Sequence, residues 1–177
     1  KHFLPRLASR DIGAFCLSEA GSGSDAASLS LRAERTPTGW VLNGTKMWVT
    51  NAGQAGIYLV FARSDPDPAK GHRGITAFLV ERGSPGLSIS REEDKMGLRA
   101  SDLAELVFDS VAVPLDHQLG EEGEGFRGAM SALDNGRIGV GAQALGIARA
   151  AFAEALSYSG TRRQFGRPIS SFEAIRL

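Results

Sequence analysis

At 177 residues the chain can bury a real core, either as one domain or as two small ones. Its 20 basic and 20 acidic residues cancel, so charge gives no reason to expect a nucleic acid or an anionic membrane as partner. The single cysteine, Cys16, excludes a disulfide framework and cannot by itself make a zinc site, and no apolar run reaches the ~18 residues of a membrane span.

The chain opens on Lys1-His2-Phe3-Leu4-Pro5 without a methionine and stops inside a helical pattern, so a piece of a longer protein is expected. Residues Lys1 to Ser9 read as the frayed end of a preceding element, with Pro5 breaking any helix. From Ile12 the pattern turns to β. Phe15 to Glu19 read as a strand with Phe15, Leu17 and Glu19 on one face and Cys16 and Ser18 on the other. Cys16 is expected to be buried and inert there. The strand feeds Gly21-Ser22-Gly23-Ser24-Asp25, a loop that offers backbone N–H groups and two hydroxyls to an anionic or carbonyl-rich ligand. An ordinary turn is the alternative. Neither a Walker loop nor a dinucleotide fingerprint fits it: no Gly-Lys-Ser/Thr run follows, and no third glycine is in place.

Asn43-Gly44, between Trp40-Val41-Leu42 and Lys46 to Thr50, predicts a two-residue hairpin turn. On the second strand Met47 and Val49 face one way, and Trp48 and Thr50 the other. An aromatic beside a hydroxyl can cover a planar heteroaromatic ring and hydrogen-bond its edge; core packing is the alternative role. Further strands are predicted at Ile57–Ala62, Ile75–Val80, Leu87–Ser90 and Leu106–Val113, separated by turn-rich breaks. This spacing, without intervening helices, indicates a closed or sandwiched antiparallel β domain. A polar linker follows over Leu115–Glu124, and a helix runs from Gly125 to about Tyr158 with Leu145, Ala148, Phe152 and Leu156 as its packing face. Its glycines, Gly136, Gly139, Gly141 and Gly146, call for close approach of a neighbour. Asp134 and Arg137 share one helix face. Arg162 to Pro168 form a basic connector, and a second helix begins near Ser171, capped by Ser170 or Ser171.

Phe15-Cys16-Leu17-Ser18-Glu19-x-Gly-x-Gly-Ser24-Asp25, Asn43-Gly44-Thr45-Lys46-x-Trp48-x-Thr50-Asn51, Leu133-Asp134-x-Gly136-Arg137 and Arg162-x-Gln164-Phe165-Gly166 together closely resemble the acyl-CoA dehydrogenase family, the short-chain branch above all. The resemblance covers nearly the whole chain. Ala20 departs from it, where the family usually has proline.

The resemblance implies an α+β, mainly β fold: an antiparallel β-barrel or sandwich followed by the first helices of a C-terminal bundle. It divides the chain into 1–9, the tail of an N-terminal helical domain; 10–118, the middle β domain; and 119–177, the start of the bundle. It implies FAD as cofactor, held by Phe15, Leu17, Ser18, Gly23, Ser24, Trp48, Val49 and Thr50. Arg162, Gln164 and Phe165 would reach the FAD of a neighbouring subunit, which implies an oligomer, a dimer of dimers in the whole enzyme. Ser24, Asp134 and Arg137 would contact the acyl-CoA. The reaction implied is α,β-dehydrogenation of a short acyl-CoA in fatty-acid or branched-amino-acid catabolism, with an electron-transferring flavoprotein as acceptor. A bacterial cytoplasm or the mitochondrial matrix is the implied location. No catalytic residue is assigned. The family's glutamate base lies beyond Leu177 or, in a minority, at the position of Gly136, and Glu19 is not put forward in its place. An acyl-CoA oxidase or flavin monooxygenase would share the β domain, and a non-catalytic binding or assembly module is the alternative from another class.

Overall fold

The computed structural model describes residues 2–176, so Lys1 and Leu177 at the outer limits of the predicted segments lie outside the described residues. It contains two compact units, Lys1–Met130 and Ser131–Leu177.

The first unit is built on an eight-stranded sheet. Its strands are β1 (Gly13–Cys16), β2 (Arg32–Thr36), β3 (Gly39–Thr50), β4 (Ile57–Arg63), β5 (Ile75–Glu81), β6 (Leu87–Glu92), β7 (Leu103–Pro114) and β8 (Gln118–Leu119). They follow the order β6-β7-β3-β2-β4-β5-β8, with β1 laid alongside β4. The path is open rather than closed into a barrel. Most pairs are antiparallel, as the strand spacing predicts, but β1 and β2 both run parallel to β4. Apolar residues on the inward face of these strands form one core, with Cys16, Trp40, Leu42, Val49, Tyr58, Val60, Phe78, Leu106 and Val111 almost fully buried. Trp40 keeps its indole N–H satisfied inside this core by donating to Gln118 Oε1 at 3.0 Å.

Three sequence expectations change here. Asn43-Gly44 is not a turn, because β3 runs straight through it; the hairpin closes instead at Pro37-Thr38, between Thr36 and Gly39. The Asn-Gly pair marks a bulge where the β3–β7 register shifts between Leu42 and Gly44. Gly44 sits at φ +137° with Leu31 Cα only 3.0 Å from where a Cβ would stand, so glycine is required there. Asn43 Oδ1 accepts from the Ser110 N–H at 2.8 Å and fills the gap in the ladder. Second, Phe3–Ser9 form a helix, α1, despite Pro5. Proline stands in the first turn, where its missing N–H would have had no helical partner. Third, the linker after Pro114 is partly structured: β8 returns to pair with β5, Ala77 opposite Leu119.

α2 spans Gly125–Thr161, beginning in the first unit and running through the second. In the second unit the expected packing face is exposed, Leu145 at 63%, Phe152 at 69% and Leu156 at 62%. Nothing approaches a Cβ built at Gly136, Gly139, Gly141 or Gly146 within 4 Å, so the close neighbour those glycines suggest is absent among the described residues. The basic connector is a small hairpin: β9 (Arg163–Gln164) pairs with β10 (Arg167–Pro168) around Phe165-Gly166. Both turn residues have positive φ, 50° and 77°, the combination that a primed two-residue turn demands and that glycine supplies at its second position. The last helix, α3 (Glu173–Arg176), starts two residues later than expected. Ser171 does not cap it; its hydroxyl donates back to the Pro168 carbonyl at 2.7 Å.

Candidate functional site

β1 ends at Cys16, and with it the strict alternation of faces. Cys16 and Leu17 are both buried and Glu19 is 5% exposed, whereas Phe15 is exposed and leans on Phe61 with ring centroids 5.0 Å apart. Phe15, Leu17 and Glu19 therefore do not share a face. The chain then turns back at once, because Glu19 and Ser22 exchange backbone hydrogen bonds of 2.9 and 3.1 Å. Ser22 is consumed inside the loop, its hydroxyl donating to the Asp25 carbonyl at 2.9 Å. Gly23 and Ser24 stand exposed at the rim, and no atom of the chain lies within 4 Å of a Cβ placed on Gly23.

This loop is fastened to β3 by two carbonyls in succession. The Ser18 carbonyl accepts from the Met47 N–H at 2.9 Å, and the Leu17 carbonyl accepts from Lys46 Nζ at 3.0 Å. So Leu17 and Ser18 lie beside the segment that carries Trp48, Val49 and Thr50. That segment is irregular: the register against β7 shifts between Lys46 and Val49, and Trp48 adopts φ 55°. A bulky residue in the left-handed region is strained, and such strain is characteristic of functional positions. The bulge separates neighbours sharply. Lys46 and Val49 point into the core, while Trp48 (49% exposed) and Thr50 are at the surface. Val49 and Leu17 are buried, so what they can offer a ligand is backbone. Beyond the bulge, Asp102 pins the chain by accepting from the Gly53 N–H at 2.7 Å.

Sequence reasoning missed the centre of the arrangement. Lys46, with no exposed surface, donates to Glu19 Oε1 at 2.8 Å. Glu19 also takes the Leu31 N–H at 3.0 Å on that oxygen, and the Ser30 N–H and hydroxyl at 2.7 Å each on the other. Burial pushes the Glu19 carboxyl up, the largest single influence on it; the Lys46 ammonium and the Ser30 and Leu31 N–H groups together outweigh burial and hold it below the usual carboxylate range. Burial pulls the Lys46 ammonium below its ordinary range, and Glu19 offsets only part of that. Glu19 is ionised, fully engaged and unable to serve as a base. Cys16 behaves as expected: burial pushes its thiol up to about 12, leaving an inert strand residue. The signal that could have found Lys46 is a lone lysine amid Met47, Trp48 and Val49, which strand alternation alone would put on the same face as Trp48.

The remaining candidates belong to the second unit. Asp134 and Arg137 meet one turn apart on α2 at 2.5 Å, both 70% exposed, an open ion pair of the kind worth a few tenths of a kcal/mol. Phe165 stands 92% exposed at the tip of its hairpin. Gln164 directly precedes it, and at the base of the hairpin the Arg162 carbonyl accepts from the Ile169 N–H at 2.9 Å. Among the described residues no group of three or more His, Cys, Asp or Glu is placed to hold a metal, and no helix is long and apolar enough to cross a membrane.

Two family descriptions match: "Acyl-CoA dehydrogenase, middle domain" over residues 14–111 and "Acyl-CoA dehydrogenase, C-terminal domain" over residues 123–177. The chain belongs to the acyl-CoA dehydrogenase family. It is 47% identical over 176 residues to a probable short/branched chain specific acyl-CoA dehydrogenase of Dictyostelium discoideum, covering 99% of this chain and 42% of the relative. The solved butyryl-CoA dehydrogenase of Megasphaera elsdenii is 49% identical with a TM-score of 0.92, covering 99% of this chain and 46% of that one. A glutaryl-CoA dehydrogenase from Mycobacterium smegmatis, solved in complex with FADH2, is 37% identical with a TM-score of 0.87, over 99% of this chain and 44% of that one. The chain thus spans less than half the length of the acyl-CoA dehydrogenases it matches. A β-rich unit followed by a long helix is the family's fold.

Proposed function

We propose that this chain is the flavin- and thioester-binding portion of an FAD-dependent acyl-CoA dehydrogenase that acts on short or short branched acyl-CoA substrates. The observation that carries the reading is Trp48: a large aromatic held half-exposed in a strained left-handed bulge, beside a backbone-rich Gly/Ser loop, in a chain of this family. A planar ring system with a polar edge fits that donor set, with the indole as cover, the Thr50 hydroxyl and the Leu17–Ser18 backbone along the edge, and Phe15 beyond. Gly23 and Ser24 leave open space at the rim for phosphate and CoA. Asp134 and Arg137 would hold the acyl-CoA, and Arg162, Gln164 and Phe165 would serve the FAD of a second subunit, so the whole protein works as an oligomer with an electron-transferring flavoprotein as its acceptor.

When bound, FAD supplies the acceptor for the hydride leaving the β-carbon. The chain's own residues bind and orient: the bulge aims Trp48 outward, and β3 holds both carbonyls of Leu17 and Ser18. Glu19 does not take the α-proton, since it is committed to Lys46, Ser30 and Leu31. Gly136, directly before Arg137, has no side chain to do so. As the family resemblance implies, the base would come from the part of the relatives that this chain does not span.

The test is anaerobic mixing of the whole protein with acyl-CoA thioesters of increasing chain length. Bleaching of the yellow flavin band should be fastest with butyryl-CoA or a short branched thioester, and preference for a long-chain thioester would sink the assignment. In the same protein, Trp48→Ala should lose flavin on dialysis, because an aromatic contact worth ~1 kcal/mol beyond burial is removed. Full retention of the yellow flavin band would make Trp48 a mere surface residue.

A further inference from the structure

We propose that Lys46 and Glu19 are positioning residues for the flavin edge: the pair fixes the Leu17 carbonyl and so the direction in which the Leu17–Ser18 backbone faces the ring. The inference rests on the flavin reading above. Three features of the geometry point to it. The Lys46 ammonium divides its donors between a side chain and a main-chain carbonyl, reaching Glu19 Oε1 at 2.8 Å and Leu17 O at 3.0 Å. A buried ammonium must satisfy its three donors, and here one acceptor is the loop's own backbone, which ties the pair to the Leu17 peptide. Next, Lys46 and Met47 are adjacent on β3 and grip adjacent carbonyls, Leu17 and Ser18, so both peptide planes are set by the two residues that precede the Trp48 bulge. Displacing Lys46 would release the first of those planes and leave only the Met47 bond. Finally, Glu19 carries the constraint onward, because its other oxygen holds Ser30 through both N–H and hydroxyl, at 2.7 Å each. The loop is thus clamped at its entry by Leu17 and at its exit by Ser30, with the exposed Gly23 and Ser24 between the clamps.

Neither residue is exposed to a ligand, Lys46 being fully buried and Glu19 nearly so, and neither touches the reacting atoms. Their effect runs through the backbone, which is how a site is held to within fractions of an ångström.

The deciding variant is the double substitution Glu19→Gln, Lys46→Met in the whole protein, which removes both charges together and leaves neither buried alone. FAD affinity is measured by titration of the apoprotein, the visible spectrum and midpoint potential at saturating FAD, and the melting temperature of the apoprotein in parallel. The expected result is an affinity about tenfold weaker, with the flavin bands and potential moved toward those of free flavin, as loss of preorganisation requires. An unchanged affinity, spectrum and potential, with only the melting temperature lowered, would overturn the proposal and make the pair a packing element. Ser30→Ala, at an exposed position, keeps the charges and removes one donor to Glu19; it should weaken FAD roughly two- to threefold with the same spectral shift. It decides the matter if the double variant fails to fold, and no change in it then counts against the proposal. If wild-type protein binds no FAD at all, the flavin reading itself has failed, and that result is distinct from either variant's.

Discussion

Lys46→Met alone should destabilise the first unit by about 3–5 kcal/mol, a large fraction of what holds a domain of this size together. The reason is the asymmetry between a buried pair and a buried single charge. Together Lys46 and Glu19 satisfy one another inside the core, and replacing both with neutral groups is nearly neutral by comparison. Remove the ammonium, and Glu19 remains 5% exposed with its charge held only by the Ser30 and Leu31 N–H groups and one hydroxyl. Lys46 itself leaves a long apolar stem that methionine replaces well, so the loss is electrostatic rather than a cavity.

The pH dependence gives the effect a signature. In the wild type the Glu19 carboxyl lies below its ordinary range, so its contribution is complete above the unfolded value of about 4.3 and is lost as pH falls through the folded one. In Lys46→Met the same carboxyl loses its counter-ion and burial pushes it up, so the variant regains stability as the group protonates. Urea unfolding followed by circular dichroism should show a gap between the two proteins that is widest near neutrality and closes as the pH approaches 4. A gap that stays constant across that range would mean that methionine is simply a poor fit.

The elements written as apolar, β-branched runs were legible: β4, β5, β6 and β7 lie where the sequence places them, and so does the start of α2. What was not legible came from local signals with two physical meanings. Asn-Gly supplies a positive φ and a side chain that mimics backbone, and a turn and a bulge use both equally; only the partner strand, through Ser110 and Leu31, makes it a bulge. Pro5 breaks a helix in its interior but not in its first turn, and nothing local says which applies. Phe165-Gly166 hid a hairpin because a phenylalanine at positive φ is unexpected from propensity. The candidate site divides in the same way. Phe15, Ser24, Trp48 and Thr50 announce themselves as an aromatic and hydroxyl set. Lys46 does not, because its role depends on the core-facing side of β3 that it shares with Trp40 and Leu42 and on a carboxylate 27 residues earlier.

The 177-residue chain by itself should not dehydrogenate acyl-CoA, although the whole protein should. Loss of the β-hydrogen as hydride requires the α-proton to be taken in the same act, and a thioester α-carbon is too weak an acid to yield it without a positioned base and a stabilised enolate. The buried carboxylate that fastens the loop is Glu19, and its two oxygens already accept four hydrogen bonds from Lys46, Ser30 and Leu31. Freeing it would expose the buried lysine, so it cannot be lent to the substrate. On α2 the position before Arg137 is glycine. Asp134 is held by Arg137 at 2.5 Å on the exposed helix surface. Removal of a positioned general base typically costs 10²–10⁴-fold in rate. Anaerobic incubation of the isolated chain with FAD and butyryl-CoA should leave the flavin band unbleached over a period in which the whole protein bleaches fully. Rapid reduction by the isolated chain would show that a carboxylate such as Glu19, freed from Lys46, Ser30 and Leu31, does act as the base, and the structural role of Glu19 would have to be given up.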